Sequence, residues 1–179
     1  VQVKNGLASP AAPAIHMARV FKGSRDKIRS FKQWLEGLTL NEFERYLKRA
    51  LIFVDTEEFG FEVSRILHSY DLKYHTFFSG SDEELLDYFS TEELDNLITC
   101  HMISEGVSIN SISSVILFSS DRQRLETIQR IGRALRRNPH DPEKEARGLD
   151  FVYFESSDED SSDAERYRWL TNSAKIRRE

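Results

Sequence analysis

The chain has 179 residues, 39% of them hydrophobic, and a formal net charge of −5 at pH 7. That is material for one good core plus flanking segments, and the acidic balance argues against a general nucleic-acid glue. No apolar run approaches the length of a bilayer span and no charged-then-apolar leader opens the chain, so a protein of the cytosol or nucleus with no membrane partner is expected. Cys100 is the single cysteine, which excludes an intrachain disulfide and a cysteine-rich zinc site, and no metal ligands are assigned. The charge is unevenly spread: residues 19–49 hold nine Lys/Arg against four Asp/Glu, residues 55–97 two against twelve, and residues 121–149 eight against five. Local basic patches can therefore bind phosphates, because screening limits distant charges to a reach of about 10 Å.

Residues 1–17 are Pro/Ala-rich and aperiodic, and their His16-Met17 ending looks like a cloning junction, so they are set aside as a linker. Residues 18–49 form a helical lead-in. One helix from Ser24 uses Ile28, Phe31, Trp34, Leu35 and Leu38, and a second from Asn41 to about Arg49 uses Phe43, Tyr46 and Leu47. Ala50-Leu51-Ile52-Phe53-Val54 is a continuous apolar run, the pattern of a strand buried on both faces. A helix from Glu58 to Tyr70 follows, then a strand from Tyr74 to Phe78, a short acidic helix over 82–89, and strands at Asn96–Cys100, Ser114–Phe118 and Phe151–Phe154. Strands alternating with helices predict right-handed crossovers and a three-layer, mostly parallel α/β sheet over residues 50–155, with ligands at the carboxyl ends of the strands. Residues 156–179 read as an acidic linker, solvated through Asp163, followed by a terminal helix with a basic end. The acidic serines there read as a spacer, with phosphorylation as the alternative.

The stretch from Leu125 to Arg137 carries the strongest functional signal. Leu125, Ile128, Ile131 and Leu135 make an apolar helical stripe, and Gln129, Arg133 and Arg136 share another face. A glycine inside a helix costs roughly 1 kcal/mol against alanine, so Gly132 points to a close approach by a ligand or a neighbouring element. Guanidiniums at fixed spacing suit a polyphosphate; a solvated arginine-rich helix is the plainer alternative.

Gln129, Arg130, Gly132, Arg133 and Arg136 resemble motif VI of superfamily 2 helicases and translocases, Q-R-x-G-R-x-x-R. Leu51-Ile52-Phe53-Val54-Asp55-Thr56 is similar to motif IV, and Ile103-Ser104-Glu105-Gly106-Val107-Ser108-Ile109 to motif V, close to L-x-E-G-x-D-x-P. Phe78-Ser79-Gly80 stands where that family has a small-residue turn. The resemblance covers about residues 50–155 and implies the second RecA-like domain of a two-lobed motor.

It further implies that ATP and nucleic acid bind across both lobes. Arg136 and Arg133 would act as arginine fingers and Gln129 would orient the γ-phosphate or the attacking water. Gly106 and Ser108, with Arg133 and Arg136, would contact the nucleotide. Ser79, Gly80, Thr99, Cys100 and His101 would line the nucleic-acid track. Arg130 would brace the lobe interface.

Two positions depart from the pattern: Ser108 replaces the usual aspartate, and Cys100 replaces the usual threonine. A phosphate contact at Cys100 is thereby weakened. A form opening on Gln129 is nearer to duplex-DNA translocases, repair helicases and restriction-type motors than to the DEAD-box form beginning with His. DNA is therefore expected ahead of RNA. The sequence holds no G-x-x-x-x-G-K-S/T loop and no acidic box after a buried strand. ATP and Mg2+ would then be held mainly by an N-terminal lobe, and the fragment alone would be inactive. A non-catalytic RecA-like scaffold is the competing expectation.

Overall fold

The computed structural model describes residues 25–82, 84–91, 95–100, 112–118, 132, 147–153 and 161–176. Five strands form one sheet: β1 (Ala50–Phe53), β2 (Tyr74–Phe77), β3 (Asn96–Thr99), β4 (Ser114–Leu117) and β5 (Arg147–Asp150). Their order is β2-β3-β1-β4-β5, and every neighbouring pair is parallel. Around them lie α1 (Arg25–Glu36), α2 (Leu40–Leu47), α3 (Glu57–Ser69), α4 (Glu84–Ser90) and α5 (Ser162–Ile176).

The central strands are buried along their whole length, as a sheet covered on both faces requires. Side-chain alternation divides the core in two. Ile52, Ile98 and Ile116 face α1, α2 and α3 through Phe31, Leu35, Leu47 and Val63. Leu51, Leu97, Val115 and Leu117 face α4 through Leu86 and Phe89. The result is the expected three-layer α/β arrangement, a RecA-like fold.

Helix starts follow local chemistry. Thr39 and Glu42 form a reciprocal capping box at α2, and the Phe59 N–H donates to the Thr56 hydroxyl at 3.2 Å at the start of α3. The Glu84 N–H donates to the Asp82 carboxylate at 3.1 Å ahead of α4. Among the described residues, no helix is long and apolar enough to cross a membrane.

Two expectations require correction. The fifth strand lies at Arg147–Asp150, upstream of the aromatic run Phe151–Phe154. An edge strand pairs on one side only, so Arg147-Gly148-Leu149-Asp150 serves without a continuous apolar run. Phe151 follows the strand and turns into the core, stacked on Phe118 (centroids 4.9 Å apart) and edge-on to Phe31 (5.5 Å). The second correction is at Asp163, which is 1% exposed and not part of a solvated linker, because it is held among buried cations.

Candidate functional site

The strand registers bring the carboxyl ends of the sheet to one level. Phe53 lies opposite Thr99 and Leu117, Phe77 opposite Thr99, and Leu117 opposite Asp150. The residues that follow, Val54, Phe78, Cys100, Phe118 and Phe151, therefore lie along a single edge. The chain leaves β1 toward the β2 side of the sheet but leaves the later strands toward the β5 side. The switch point thus flanks β1, the position where open α/β sheets form their ligand crevice.

Three elements shape the β1–β2 part of this edge. Gly60, in α3, lies so close to Phe78 that an added Cβ would come within 2.4 Å of the ring and 3.3 Å of Val54. Only glycine lets α3 sit this low over the ends of β1 and β2. Beyond Phe78 the chain turns sharply: the Ser81 N–H donates to the Phe78 carbonyl at 3.1 Å, and the Phe78 N–H donates to the Ser81 hydroxyl at 2.9 Å. Gly80 takes φ +81° in this turn, a conformation that side chains oppose. Ser79 and Gly80 are both exposed, and nothing lies within 4 Å of where a Gly80 Cβ would be.

The β3 end differs. Thr99 is fully enclosed, and its carbonyl accepts from the Val54 N–H at 2.9 Å. Cys100 is half-buried, and its thiol is pushed up to about 12 by burial and then by the charges of Glu57, Asp55 and Glu58. An acidic rim that disfavours a thiolate disfavours a phosphate as well.

A third feature of the edge carried little local sequence signal. Lys27, Asp163 and Arg166, all buried, form with the partly buried Asp150 a cluster of two cations and two anions. Lys27 Nζ donates to the Phe118 carbonyl at 2.8 Å and pairs with Asp163 at 2.6 Å. Arg166 pairs with Asp150 through two donors, at 2.9 and 2.8 Å, and with Asp163 at 2.9 Å. The Tyr153 N–H donates to the second Asp163 oxygen at 2.8 Å. Burial lowers the Lys27 pKa against the attraction of Asp163. Burial works against the Arg166 charge too, but bonds to Asp150 and Asp163 outweigh it and raise that pKa. Only the Asp163/Arg166 spacing of three on one helix was readable in advance; the partners in α1 and β5 were not.

Of the residues assigned from sequence, Ser79, Gly80, Thr99 and Cys100 lie on this edge. His101, Gly106, Ser108, Gln129, Arg130, Arg133 and Arg136 lie outside the described residues. Gly132 has helical backbone, and an added Cβ there would meet nothing within 4 Å. Among the described residues, no group of three or more His, Cys, Asp or Glu side chains is placed to hold a metal ion.

This combination of parallel sheet, strand order and carboxyl-edge turns defines the class as a RecA-like α/β domain. The family model described as helicase conserved C-terminal domain matches residues 27–138, more than half of the chain, and the chain belongs to that family. No curated protein sequence matches it significantly. Among solved structures, it is similar to the C-terminal domain of S. cerevisiae Dbp5 bound to Gle1 and IP6, with TM-score 0.55 and 20% identity over 74% of this chain and 72% of that one. Domain 2 of the DEAD-box helicase Mss116p bound to an RNA duplex matches with TM-score 0.56 and 20% identity, covering 71% of this chain and 50% of that one. The Hef helicase domain of Pyrococcus furiosus matches with TM-score 0.51 and 18% identity, covering 80% of this chain and 28% of that one. At these identities the likeness is one of fold.

Proposed function

We propose that the chain is the C-terminal lobe of an ATP-dependent motor that moves on or unwinds nucleic acid. The observation that carries this reading is the family match over residues 27–138. The order of the sheet supports it. Motif IV lies on β1, and residues 101–111 and 119–146, which hold motifs V and VI, follow the carboxyl ends of β3 and β4 on either side of it. Arg136 and Arg133 would reach a triphosphate held by the N-terminal lobe, with Gln129 orienting the γ-phosphate or the water. Gly106 and Ser108 would lie near the nucleotide.

Magnesium and the phosphate loop would belong to that other lobe. The open space above Gly132 suits an approach by something outside this chain. Ser79 and Gly80 would offer an exposed turn to the nucleic-acid backbone, whereas enclosure of Thr99 and the acidic rim at Cys100 favour no phosphate contact there.

The motif VI form that opens on Gln129 supports DNA. The likeness to Mss116p, which binds an RNA duplex, supports RNA as the second reading.

The test is ATP turnover by the full-length parent, wild type and Arg136→Ala, with single-stranded DNA, duplex DNA and RNA. One polymer should stimulate turnover, and the alanine change should lower the rate by on the order of 10³-fold without unfolding the protein. Equal turnover by the two proteins would sink the finger assignment and favour a non-catalytic scaffold. The isolated chain should hydrolyse no ATP above background; sustained turnover by pure material would overturn the single-lobe reading.

A further inference from the structure

We propose that the exposed outer part of α5, carrying Tyr167 and Arg168, is a further binding surface for single-stranded nucleic acid, mounted at the carboxyl edge of the sheet. The helix lies beyond the family match, which ends at residue 138. The inference rests on the reading that the parent works on nucleic acid.

The two parts of α5 are built differently. Near its start Asp163, Ala164 and Arg166 are buried, with Ser161 just before them. Arg166 grips Asp150, the last residue of β5, through two donors. Asp163 meets both Arg166 and Lys27, and Lys27 in turn donates to the Phe118 carbonyl just past β4. The start of α5 is therefore fixed at the carboxyl ends of two strands, on the edge that carries the Ser79–Gly80 turn at its far end. From Tyr167 to Asn172 no residue is buried. Tyr167 is 50% exposed, Arg168 and Asn172 are exposed, and Trp169, Leu170 and Thr171 are half-buried. This stretch leaves aromatic and aliphatic surface in water on a rigid mount, the pattern of an interaction surface.

Charge and ring chemistry say what it fits. From Arg166 to Arg178 the sequence holds five Lys/Arg and no Asp/Glu. Arg166 is engaged by Asp150 and Asp163, so the others set the charge of the outer helix. Arg168 Nε donates to the Ala164 carbonyl at 3.4 Å, which lays its stem along the helix, and the residue stays exposed. An arginine next to an accessible ring suits a single strand, with a phosphate on the guanidinium and a base on the ring. Bases stacked within a duplex offer no open face to a tyrosine, so unpaired nucleotides fit better. Glu165, exposed near the start of the helix, is the opposing charge.

The experiment measures binding of the full-length parent to labelled oligo(dT) and oligo(rU) by fluorescence anisotropy, without ATP and across a salt series. Variants are Tyr167→Ala, Tyr167→Phe, Arg168→Ala, Glu165→Gln and the double Tyr167→Ala/Arg168→Ala. Arg45→Ala is the control for loss of any exposed arginine. It lies at the opposite edge, where the hydroxyl of Ser114, the first residue of β4, donates to the Arg45 carbonyl at 3.3 Å. Tyr167→Ala should weaken binding about 5-fold or more, and Tyr167→Phe should stay within about 2-fold of wild type because the ring remains. Arg168→Ala should weaken binding and lower the slope of log K against log salt by about 0.7, the loss of one phosphate contact on a single strand. Glu165→Gln should tighten binding about 2-fold at low salt.

Melting temperatures matching wild type establish the fold of each variant. Should the alanine variants melt early, Glu165→Gln decides, since unfolding does not tighten binding. Wild-type affinity and salt slope in the folded double variant would overturn the inference, as would an equal loss in Arg45→Ala. A wild-type parent that binds neither strand sinks the nucleic-acid reading and this inference with it. Strand binding that survives every α5 change, with self-association lost instead, gives the face to a second copy of the chain and overturns the α5 surface alone.

Discussion

The two edges of the sheet are closed by different chemistry. At β2 the closure is apolar: Gly60 lets α3 settle onto Phe78, and Phe61 meets the same ring edge-on at 5.5 Å. At β5 it is ionic: α1 and α5 bring Lys27, Asp163 and Arg166 to Asp150 and to the carbonyl of Phe118. The apolar edge can lose part of its contact and relax. The ionic edge cannot, because removing one member leaves a charge buried without compensation. One side of the domain should therefore respond to mutation gradually and the other abruptly.

The sharpest break is Asp163→Ala, which strips Lys27 and Arg166 of their shared carboxylate. It should cost about 3–5 kcal/mol, the range for breaking a buried ion pair from one side, read from urea unfolding of the chain. The double change Lys27→Met/Asp163→Leu should cost less than Asp163→Ala, since it removes both charges of one pair and leaves Arg166 with Asp150. A double variant as unstable as the single would show that shape, not charge, governs this edge.

At the apolar edge, Gly60→Ala forces a methyl to within 2.4 Å of the Phe78 ring. Overpacking of this kind costs about 1–3 kcal/mol, against a helix-propensity gain of roughly 1 kcal/mol. A net loss smaller than that of Asp163→Ala is expected. It should shrink when Phe78→Leu is added, because the ring that blocks the methyl is then gone. Equal losses with and without Phe78→Leu would place the strain elsewhere.

The same contrast explains what could be read in advance. The apolar runs of β1, β3 and β4 and the stripe Phe31/Leu35 are periodic, and burial follows period, so the layers and most element bounds were legible. The strand at Arg147–Asp150 lies upstream of the expected one because its neighbours Phe151–Phe154 have the stronger strand composition; Phe151 packs against the core beyond the strand end instead. Apart from the Asp163/Arg166 spacing, the charge cluster was invisible because its members lie in α1, β5 and α5, and pairs such as Lys27–Asp163, more than a hundred residues apart, leave no spacing to detect. Asp163 even sits at the end of a tract whose composition argues for solvent. At the candidate site, Ser79, Gly80, Thr99 and Cys100 were legible as strand ends, whereas the acidic groups near Cys100, Glu57 and Glu58 of α3 with Asp55 just before it, meet the end of β3 only in the fold.

The smallest effect sharpens the comparison by moving charge chemistry into water. At α2 the exposed Thr39 N–H donates to Glu42 at 2.9 Å and the Thr39 hydroxyl donates to it at 2.7 Å. The backbone bond first, then the hydroxyl bond, holds the Glu42 carboxyl below its usual range. A carboxyl with a depressed folded-state pKa stabilises the fold above its unfolded value of about 4.3, and that contribution disappears as pH falls through the folded-state value. Thr39→Ala should therefore lower the melting temperature at pH 7 by less than Gly60→Ala does, and the gap to wild type should narrow well below pH 4. The Glu42 N–H also donates to the Thr39 hydroxyl at 3.4 Å, a bond that does not titrate. A gap of the same size at pH 3 and pH 7 would assign the cap to that bond alone, and a gap that closes on acidification assigns it to the carboxylate.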